Sequence, residues 1–232
     1  MRVIINNIIT LDCLPMLFDA HAATLSPNEQ FVLDLVIVTV AVASLIFTDS
    51  KFKSKKPGLI FTILVVLAIS GRLLLNPIPN VQPVTFLAIM VGIYFGISYS
   101  IAFATIVTLS SNVILEHGIW SNYQIIGWAS VGILAALLRN QFIQNEKLNI
   151  TNLAIFAAFS GFLFDWTVSL SILHNVDTSF FLIYLLNGFF FDLLHVVGNV
   201  VFVAWFANPL SELMNRHTNL TTPKAVPELA SN

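Results

Sequence analysis

Long apolar segments separated by short polar turns are the feature that most limits how this 232-residue chain can fold. The segments run over 31–47, 58–75, 83–96, 98–116, 123–143, 151–173 and 179–207. A helix needs about 20 mainly apolar residues to cross the core of a bilayer, so segments of this length are typical of membrane spans. Because 57% of the residues are hydrophobic and only 9% are charged, a soluble fold is excluded. We therefore predict an all-α, polytopic membrane helix bundle.

Four regions follow from this pattern. The core is predicted to contain six transmembrane helices within residues 58–207, and residues 31–57 are predicted to form an extra N-terminal helix and a lysine-rich loop. Residues 1–30 combine an apolar run with several polar interruptions, so we expect an uncleaved surface segment and not a secretory signal peptide. Residues 208–232 are polar and carry two prolines near the end, which favours an unstructured tail.

The basic residues indicate the orientation of the bundle. If the lysine-rich loop is cytoplasmic, the alternation of spans puts eight of the ten basic residues on the cytoplasmic side, as the positive-inside rule requires. These residues are Lys51, Lys53, Lys55, Lys56, Arg139, Lys147, Arg216 and Lys224. We therefore expect a multi-pass protein of the bacterial inner membrane, with the loop from Lys51 to Lys56 and the C-terminal tail in the cytoplasm.

Three polar loops meet on the outer face in this threading. They are the proline-rich loop 76–83, the tryptophan-containing turn before segment 123–143, and the turn from His174 to Asp177. Prolines stiffen the first loop, and a stiff loop loses little entropy when it binds a ligand. Arg72 precedes this loop, and an alternative interpretation is that its side chain extends to the lipid headgroups.

Aromatic residues near the second of these turns form a candidate wall for a large planar ligand. They are Trp120, Tyr123 and Trp128. The interfacial belt of tryptophan and tyrosine is the better explanation for Trp120. Trp128 lies further inside its helix, on the face of Gln124 and Gly132, where a pocket role and ordinary packing are equally good explanations.

Polar residues within the last two spans are predicted to form an intramembrane polar hub. They are Asp165, Asn187, Asp192, His195 and Asn199. Spacings of three and four residues put the last three on one helix face. An Asp or Arg at the centre of a spanning helix costs about 2.5–3.5 kcal/mol, so we expect this stripe to face the bundle interior or a water-filled cavity. Ligand contact and interhelical hydrogen bonding, for example between Asp165 and His195, both explain it.

The sequence lacks common catalytic and metal-binding motifs. It contains no HExxH, no GxSxG and no phosphate-binding glycine loop. Its single cysteine, Cys13, excludes internal disulfides and thiolate metal clusters. We therefore expect no enzymatic activity, no cofactor and no bound metal.

Three blocks of the sequence resemble the substrate-binding S components of energy-coupling-factor (ECF) vitamin transporters. The first is Arg72 with the following IPNVQPVT and a helix punctuated by Gly92 and Gly96. The second is SSN with GIWSNYQIIGWASVG, and the third is NGFFFDLLHVVGN. Together they extend over residues 58–207 in the order found in that family. The closest likeness is to the subgroup that includes cobalamin carriers.

The resemblance implies a six-helix membrane subunit that binds a vitamin from outside with high affinity. It would dock on a transmembrane coupling subunit driven by two ATPase subunits, and then topple in the membrane to release the vitamin inside. Nucleic acid is not among the implied partners. Nine residues would contribute to the substrate pocket according to the resemblance: Arg72, Asn80, Gln82, Asn112, Trp120, Gln124, Trp128, His174 and Asn175. The polar hub adds His195 as a further candidate for ligand contact.

Two features depart from that family. The extra segment at 31–47 puts the N-terminus outside, and the first core helix lacks the Ala-xxx-Ala patch on which S components typically dock. The extra helix, or Ala154, Ala157 and Ala158, could provide a docking face instead.

Two other functions fit the same residues. A self-sufficient, proton-coupled secondary carrier or channel would use Asp165, Asp192 and His195 as a proton relay. A membrane enzyme or assembly factor is the second alternative. The sequence does not single out one vitamin, because thiamine, pyridoxine, queuosine-precursor and cobalamin pockets all combine aromatic side chains with a few polar groups.

Overall fold

The computed structural model describes residues 26–49, 56–144, 147–174 and 177–218, and these residues form an all-α bundle with one very short hairpin. The helices are α1 (Pro27–Asp49), α2 (Lys56–Leu74), α3 (Val84–Phe95), α4 (Ile97–Leu115), α5 (Ile119–Leu137), α6 (Arg139–Phe142), α7 (Ile150–Ser169) and α8 (Phe181–Thr218). Two 3-10 turns, Leu170–His174 and Thr178–Phe180, connect α7 to α8. The hairpin pairs β1 (Ile143–Gln144) with β2 (Lys147–Leu148) in antiparallel register.

Several helices have the length and composition of membrane spans. Within the described residues, four stretches qualify: Pro57–Leu74, Ile97–Leu115, Ile150–His174 and Thr178–Arg216. Helix α3 is a shorter apolar helix, and at about 1.5 Å per residue its 12 residues are too short to cross a bilayer alone. Large apolar side chains such as Leu67, Phe190 and Trp205 are exposed on the outside of the bundle, as on a lipid-facing surface. These helices and this exposed apolar surface are compatible with a membrane location.

Helix α1 begins with a capping box. The hydroxyl of Ser26 accepts a hydrogen bond from the backbone N–H of Glu29 (3.4 Å), and the Glu29 carboxylate accepts from the Ser26 hydroxyl and backbone N–H (2.7 and 3.0 Å). These bonds lower the pKa of Glu29 below its ordinary value, and the bond from the Ser26 hydroxyl contributes most. Pro27 has no N–H that needs a partner in the first turn. The helix therefore begins four residues before the predicted start at 31.

The extra helix α1 packs on α4 and is joined to the turn before α5. His117 Nε2 lies 2.8 Å from the carboxylate of Asp34 and 3.1 Å from the amide nitrogen of Gln30. The N-terminal end of α1 and the α4–α5 turn therefore lie at the same end of the bundle.

A single residue, Gly96, separates α3 from α4. Its φ of +88° is in the left-handed region that favours glycine, and a Cβ atom there would meet nothing within 4 Å. Glycine is therefore favoured here by its backbone conformation, and not by a lack of space for a side chain.

Helix α8 is longer than predicted. The sequence suggested a span over 179–207 followed by a polar tail, but the helix continues through Pro209 to Thr218. The hydroxyl of Ser211 lies 2.6 Å from that of Tyr94 on α3, and Met214 is fully buried. These contacts hold the last turns against the bundle, so the missing N–H of one proline does not end the helix.

One predicted docking face is partly covered. Ala157 is buried, and its backbone carbonyl accepts a hydrogen bond from Asn199 on α8 (3.2 Å). Ala154 and Ala158 are half-buried. Ala157 is therefore covered by α8, whereas docking of a partner subunit on this face stays a prediction.

Candidate functional site

Arg72, in the last turn of α2, is directed into the bundle and is only 5% exposed. Its Nη1 atom donates hydrogen bonds to the hydroxyl of Ser111 and to the side-chain oxygen of Asn112 (2.7 Å), both on α4. Its guanidinium carbon lies 5.1 Å from the centre of the Trp128 ring, which is a cation–π contact. The alternative interpretation, that Arg72 extends to lipid headgroups, is wrong because the side chain points the other way.

Asn112 connects Arg72 to helix α5. While its oxygen accepts from Arg72, its amide nitrogen donates to the hydroxyl of Ser121 (2.6 Å) and to the side-chain oxygen of Gln124 (2.8 Å). Asn112 and Gln124, which the family resemblance placed in the pocket, are therefore in direct contact with each other, and Asn112 is also in contact with Arg72.

Trp128 lies at the junction of three helices. Its indole N–H donates to the hydroxyl of Thr85 at the start of α3 (3.1 Å), and its ring stacks on Phe164 of α7, with ring centres 4.4 Å apart. The residue is buried. Trp128 therefore packs in the core and also connects Arg72 to the groups beyond Thr85.

His195 and Asp165 form a buried pair that continues this chain. The Nε2 atom of His195 lies 2.8 Å from the Thr85 hydroxyl, and its Nδ1 atom lies 2.9 Å from the Asp165 carboxylate. The Nδ1–H of His195 can donate to the Asp165 carboxylate, while Nε2 lies within hydrogen-bonding distance of the Thr85 hydroxyl that also accepts from Trp128. The pair that the sequence suggested as an example of interhelical hydrogen bonding is present.

Asn80 connects the loop after α2 to this pair. Its amide nitrogen donates to the second oxygen of Asp165 at 3.4 Å, and its φ of +56° is a left-handed conformation that Asn tolerates better than most residues. We call the connected group the buried polar network, and it consists of Arg72, Asn80, Thr85, Ser111, Asn112, Ser121, Gln124, Trp128, Asp165 and His195. It contains residues from six helices and from one loop.

The remaining members of the predicted polar hub lie elsewhere. Asp192 is buried and accepts a hydrogen bond from the indole of Trp166 (3.1 Å), while Asn199 is buried against α7. Asn187 is exposed, so it does not belong to a buried hub. Asp192 and Asn199 thus face inward as predicted, but the hydrogen bonds described for them do not join the network.

A separate aromatic group lies at the α4–α5 turn. Trp120 is buried and packs with Ile119 and Tyr123, and the Tyr123 hydroxyl lies 2.9 Å from Nε2 of His174. The α7–α8 connection and the α4–α5 turn therefore meet at the end of the bundle where α1 begins. Gln82 is half-buried in the loop after α2, and Asn175 lies outside the described residues.

Arg72 is the one arginine of the network, and its charge is incompletely balanced. In the described parts of the chain, ion pairs join Asp34 to His117, Asp165 to His195 and Glu212 to Arg216, but none involves Arg72. Its Nε atom is buried and has no hydrogen-bond partner among the described residues. The neighbours that contact the guanidinium are thus a hydroxyl, an amide and an aromatic ring, all of them neutral.

The sequence did not single out Thr85, Ser111 or Phe164. Residues with hydroxyl or phenyl side chains are common in membrane helices, so neither type marks a site by itself. The position of Thr85, in the first turn of the helix that follows the proline-rich loop, is the one feature of the sequence that could have pointed to it as a site residue.

Comparison with family models, with curated proteins and with solved structures finds no match for this chain.

Proposed function

We propose that the chain is the high-affinity substrate-binding membrane subunit of an ECF-type vitamin uptake transporter, with cobalamin or a related vitamin as substrate. The observation that carries the proposal is the buried polar network. Interhelical hydrogen bonding alone needs neither a buried guanidinium nor an aromatic ring beside it. A ligand site needs both kinds of group, since a few polar side chains orient a ligand while apolar and aromatic walls bind its bulk.

The position of the network agrees with uptake from outside. The starts of α1 and α5 and the α7–α8 connection lie near one another through the contacts of His117 and His174, and Asn80 contacts the Asp165 side of the network. Basic residues instead lie at the opposite helix ends: Arg139 after α5, Lys147 before α7 and Arg216 in the last turn of α8. Under the positive-inside rule, the end with the network faces away from the cytoplasm.

In this proposal, release of the vitamin depends on partners. A coupling subunit with two ATPase subunits would supply the energy, and this chain would supply the binding site. The exposed face of α2 offers one place for such contact, because Gly58 has no described residue within 4 Å of an added Cβ and is exposed beside Leu59.

A visible absorption spectrum tests the proposed ligand. The purified chain in detergent is exposed to cobalamin, washed thoroughly and scanned. We expect a corrinoid spectrum at close to one-to-one stoichiometry. A colourless protein would exclude cobalamin, and mass spectrometry of the co-purifying small molecules would then identify the vitamin that is bound.

Replacing Trp128 by alanine is expected to weaken ligand binding by about 1 kcal/mol or more, or about fivefold in Kd, because an aromatic contact is lost. Isothermal titration of the washed protein measures this. Trp205→Ala is the matched control, since Trp205 is 71% exposed on the outer surface of α8. Unchanged binding with a lower Tm would assign Trp128 to packing alone.

A proton-coupled carrier is the second candidate, because the Asp165–His195 pair is buried and hydrogen-bonded at 2.9 Å. Such a carrier would transport in cells that express this chain alone, and a protonophore would stop the transport. The S-component proposal predicts the opposite. Transport would require the ATPase partners, and a protonophore would leave it largely unchanged while ATP is maintained.

A further inference from the structure

The charge on Arg72 indicates what kind of ligand the site accepts. The two hydrogen bonds of Nη1 and the ring contact with Trp128 are the interactions that hold this side chain. A hydroxyl and an amide oxygen can accept hydrogen bonds from neutral donors as well, so these two bonds do not require a charge in the bundle. The structural role of Arg72 therefore does not explain why a cation stands there.

Three ion pairs within the described residues show the contrast. His195 has Asp165 as its partner, His117 has Asp34, and Arg216 has Glu212. The Asp165 carboxylate already interacts with His195 and Asn80. Arg72 thus combines deep burial with the absence of an ion pair within the described parts of the chain, an arrangement that is costly in the absence of an anion.

The guanidinium has one edge suited to an anion. Nη1 is already occupied by Ser111 and Asn112, whereas Nε is buried with no acceptor in the part of the chain that the structure describes. The N–H groups of Nε and Nη2 point to the same side of the planar fork, which matches the two oxygens of a carboxylate or phosphate. The Trp128 ring contacts the guanidinium at its face, so the edge formed by Nε and Nη2 remains for a ligand.

We propose that the substrate carries an anionic group, a carboxylate or a phosphate, that binds to the Nε edge of Arg72. This inference rests on the proposed function, because it assumes that the network is part of the substrate site. The packing around Nε opens to admit the group, and the anion then completes the charge balance that the protein lacks. Neutral parts of the substrate contact the aromatic and amide side chains beside it.

Matched pairs of small molecules test the inference without any mutation. The full chain, in neutral detergent free of phospholipid, is titrated with nicotinate and nicotinamide, and with pantothenate and panthenol. Pyridoxal phosphate and pyridoxal form one phosphate pair, and cobalamin, whose nucleotide loop carries a phosphodiester, forms a second with phosphate-free cobinamide. The absence of phospholipid keeps a headgroup phosphate from occupying the edge. Comparison of the two sets then distinguishes a carboxylate site from a phosphate site.

We expect the acidic member of the pair that binds to do so at least about tenfold more tightly than its neutral partner, from the strength of charge-assisted hydrogen bonds. Equal or tighter binding of the neutral member would overturn the inference and leave the proposed function standing. If no member of any pair binds, the proposed function fails and the inference fails with it.

Two variants locate the preference at Arg72. Arg72→Gln keeps hydrogen-bond donors and removes the charge, so the preference for the acidic member is expected to disappear. Arg72→Lys keeps the charge and loses the planar fork, and a smaller preference is expected to remain. A preference that persists unchanged in a folded Arg72→Gln protein would overturn the assignment. If that variant does not fold, Arg72→Lys and the wild-type comparison still decide the outcome.

Discussion

Replacing His195 by alanine is expected to lower the free energy of unfolding by about 3–5 kcal/mol, the cost of leaving one partner of a buried ion pair alone. The change removes the group that lies 2.9 Å from the Asp165 carboxylate and 2.8 Å from the Thr85 hydroxyl. Both of these neighbours are buried, so water cannot easily take its place. Unfolding in mixed micelles with increasing denaturant measures the effect.

His117→Ala is the matched control for this prediction. His117 forms the same kind of pair with Asp34 at 2.8 Å, but the two side chains are 27% and 24% exposed. Partly exposed pairs contribute about 0–1 kcal/mol, so the control is expected to lose little stability. The double change Asp165→Asn with His195→Ala should recover part of the loss, because no charge then remains unpaired. Equal losses for His195→Ala and His117→Ala would contradict the account of the buried pair.

Replacing Gly92 by alanine is the second change with a large expected effect. A Cβ atom at this position would lie 2.1 Å from the backbone oxygen of Gly132 and 3.0 Å from the Cβ atom of Ala135. The first of these atoms belongs to the backbone of α5, so no side-chain rotation relieves the clash. Helices α3 and α5 must separate, which is expected to cost about 3 kcal/mol, at the upper end of typical overpacking penalties. The yield and Tm of the purified protein measure this.

The control is Gly188→Ala in α8. Gly188 also lies within a helix, but an added Cβ there meets nothing within 4 Å. Alanine is favoured over glycine by about 1 kcal/mol in a helix interior, so this variant is expected to be as stable as the wild type or slightly more so. A Gly92→Ala protein with normal yield and Tm would show that α3 and α5 are not packed as closely as described.

The class of the fold could be predicted because apolar length and helical spacing are local properties of the sequence. Apolar length indicated helices in seven places, and a spacing of three and four residues put His195 inside the bundle together with Asp192 and Asn199. The same arithmetic argues against Asn187 as a hub member. At about 100° per residue, Asn187 lies some 140° around the helix from Asp192, and it is in fact exposed.

Contacts between distant segments were not predictable in the same way. Whether Arg72 points inward or toward lipid depends on Ser111 and Asn112, which are about 40 residues away in sequence. The continuation of α8 beyond Pro209 depends on Ser211 reaching Tyr94. In each case a local pattern allowed two conformations, and a tertiary hydrogen bond selects one of them.

Ligand-induced stabilisation tests the central claim most directly. The Tm of the purified chain is measured with each of the water-soluble vitamins, with Trp128→Ala and Trp205→Ala measured in parallel. The account predicts that one vitamin at 100 times its Kd raises the Tm by about 5 °C or more. Trp205→Ala is expected to keep this shift, while the fivefold weaker Kd of Trp128→Ala is expected to remove about a third of it or more at the same concentration. A panel in which no vitamin changes the Tm of the wild-type protein would contradict the account.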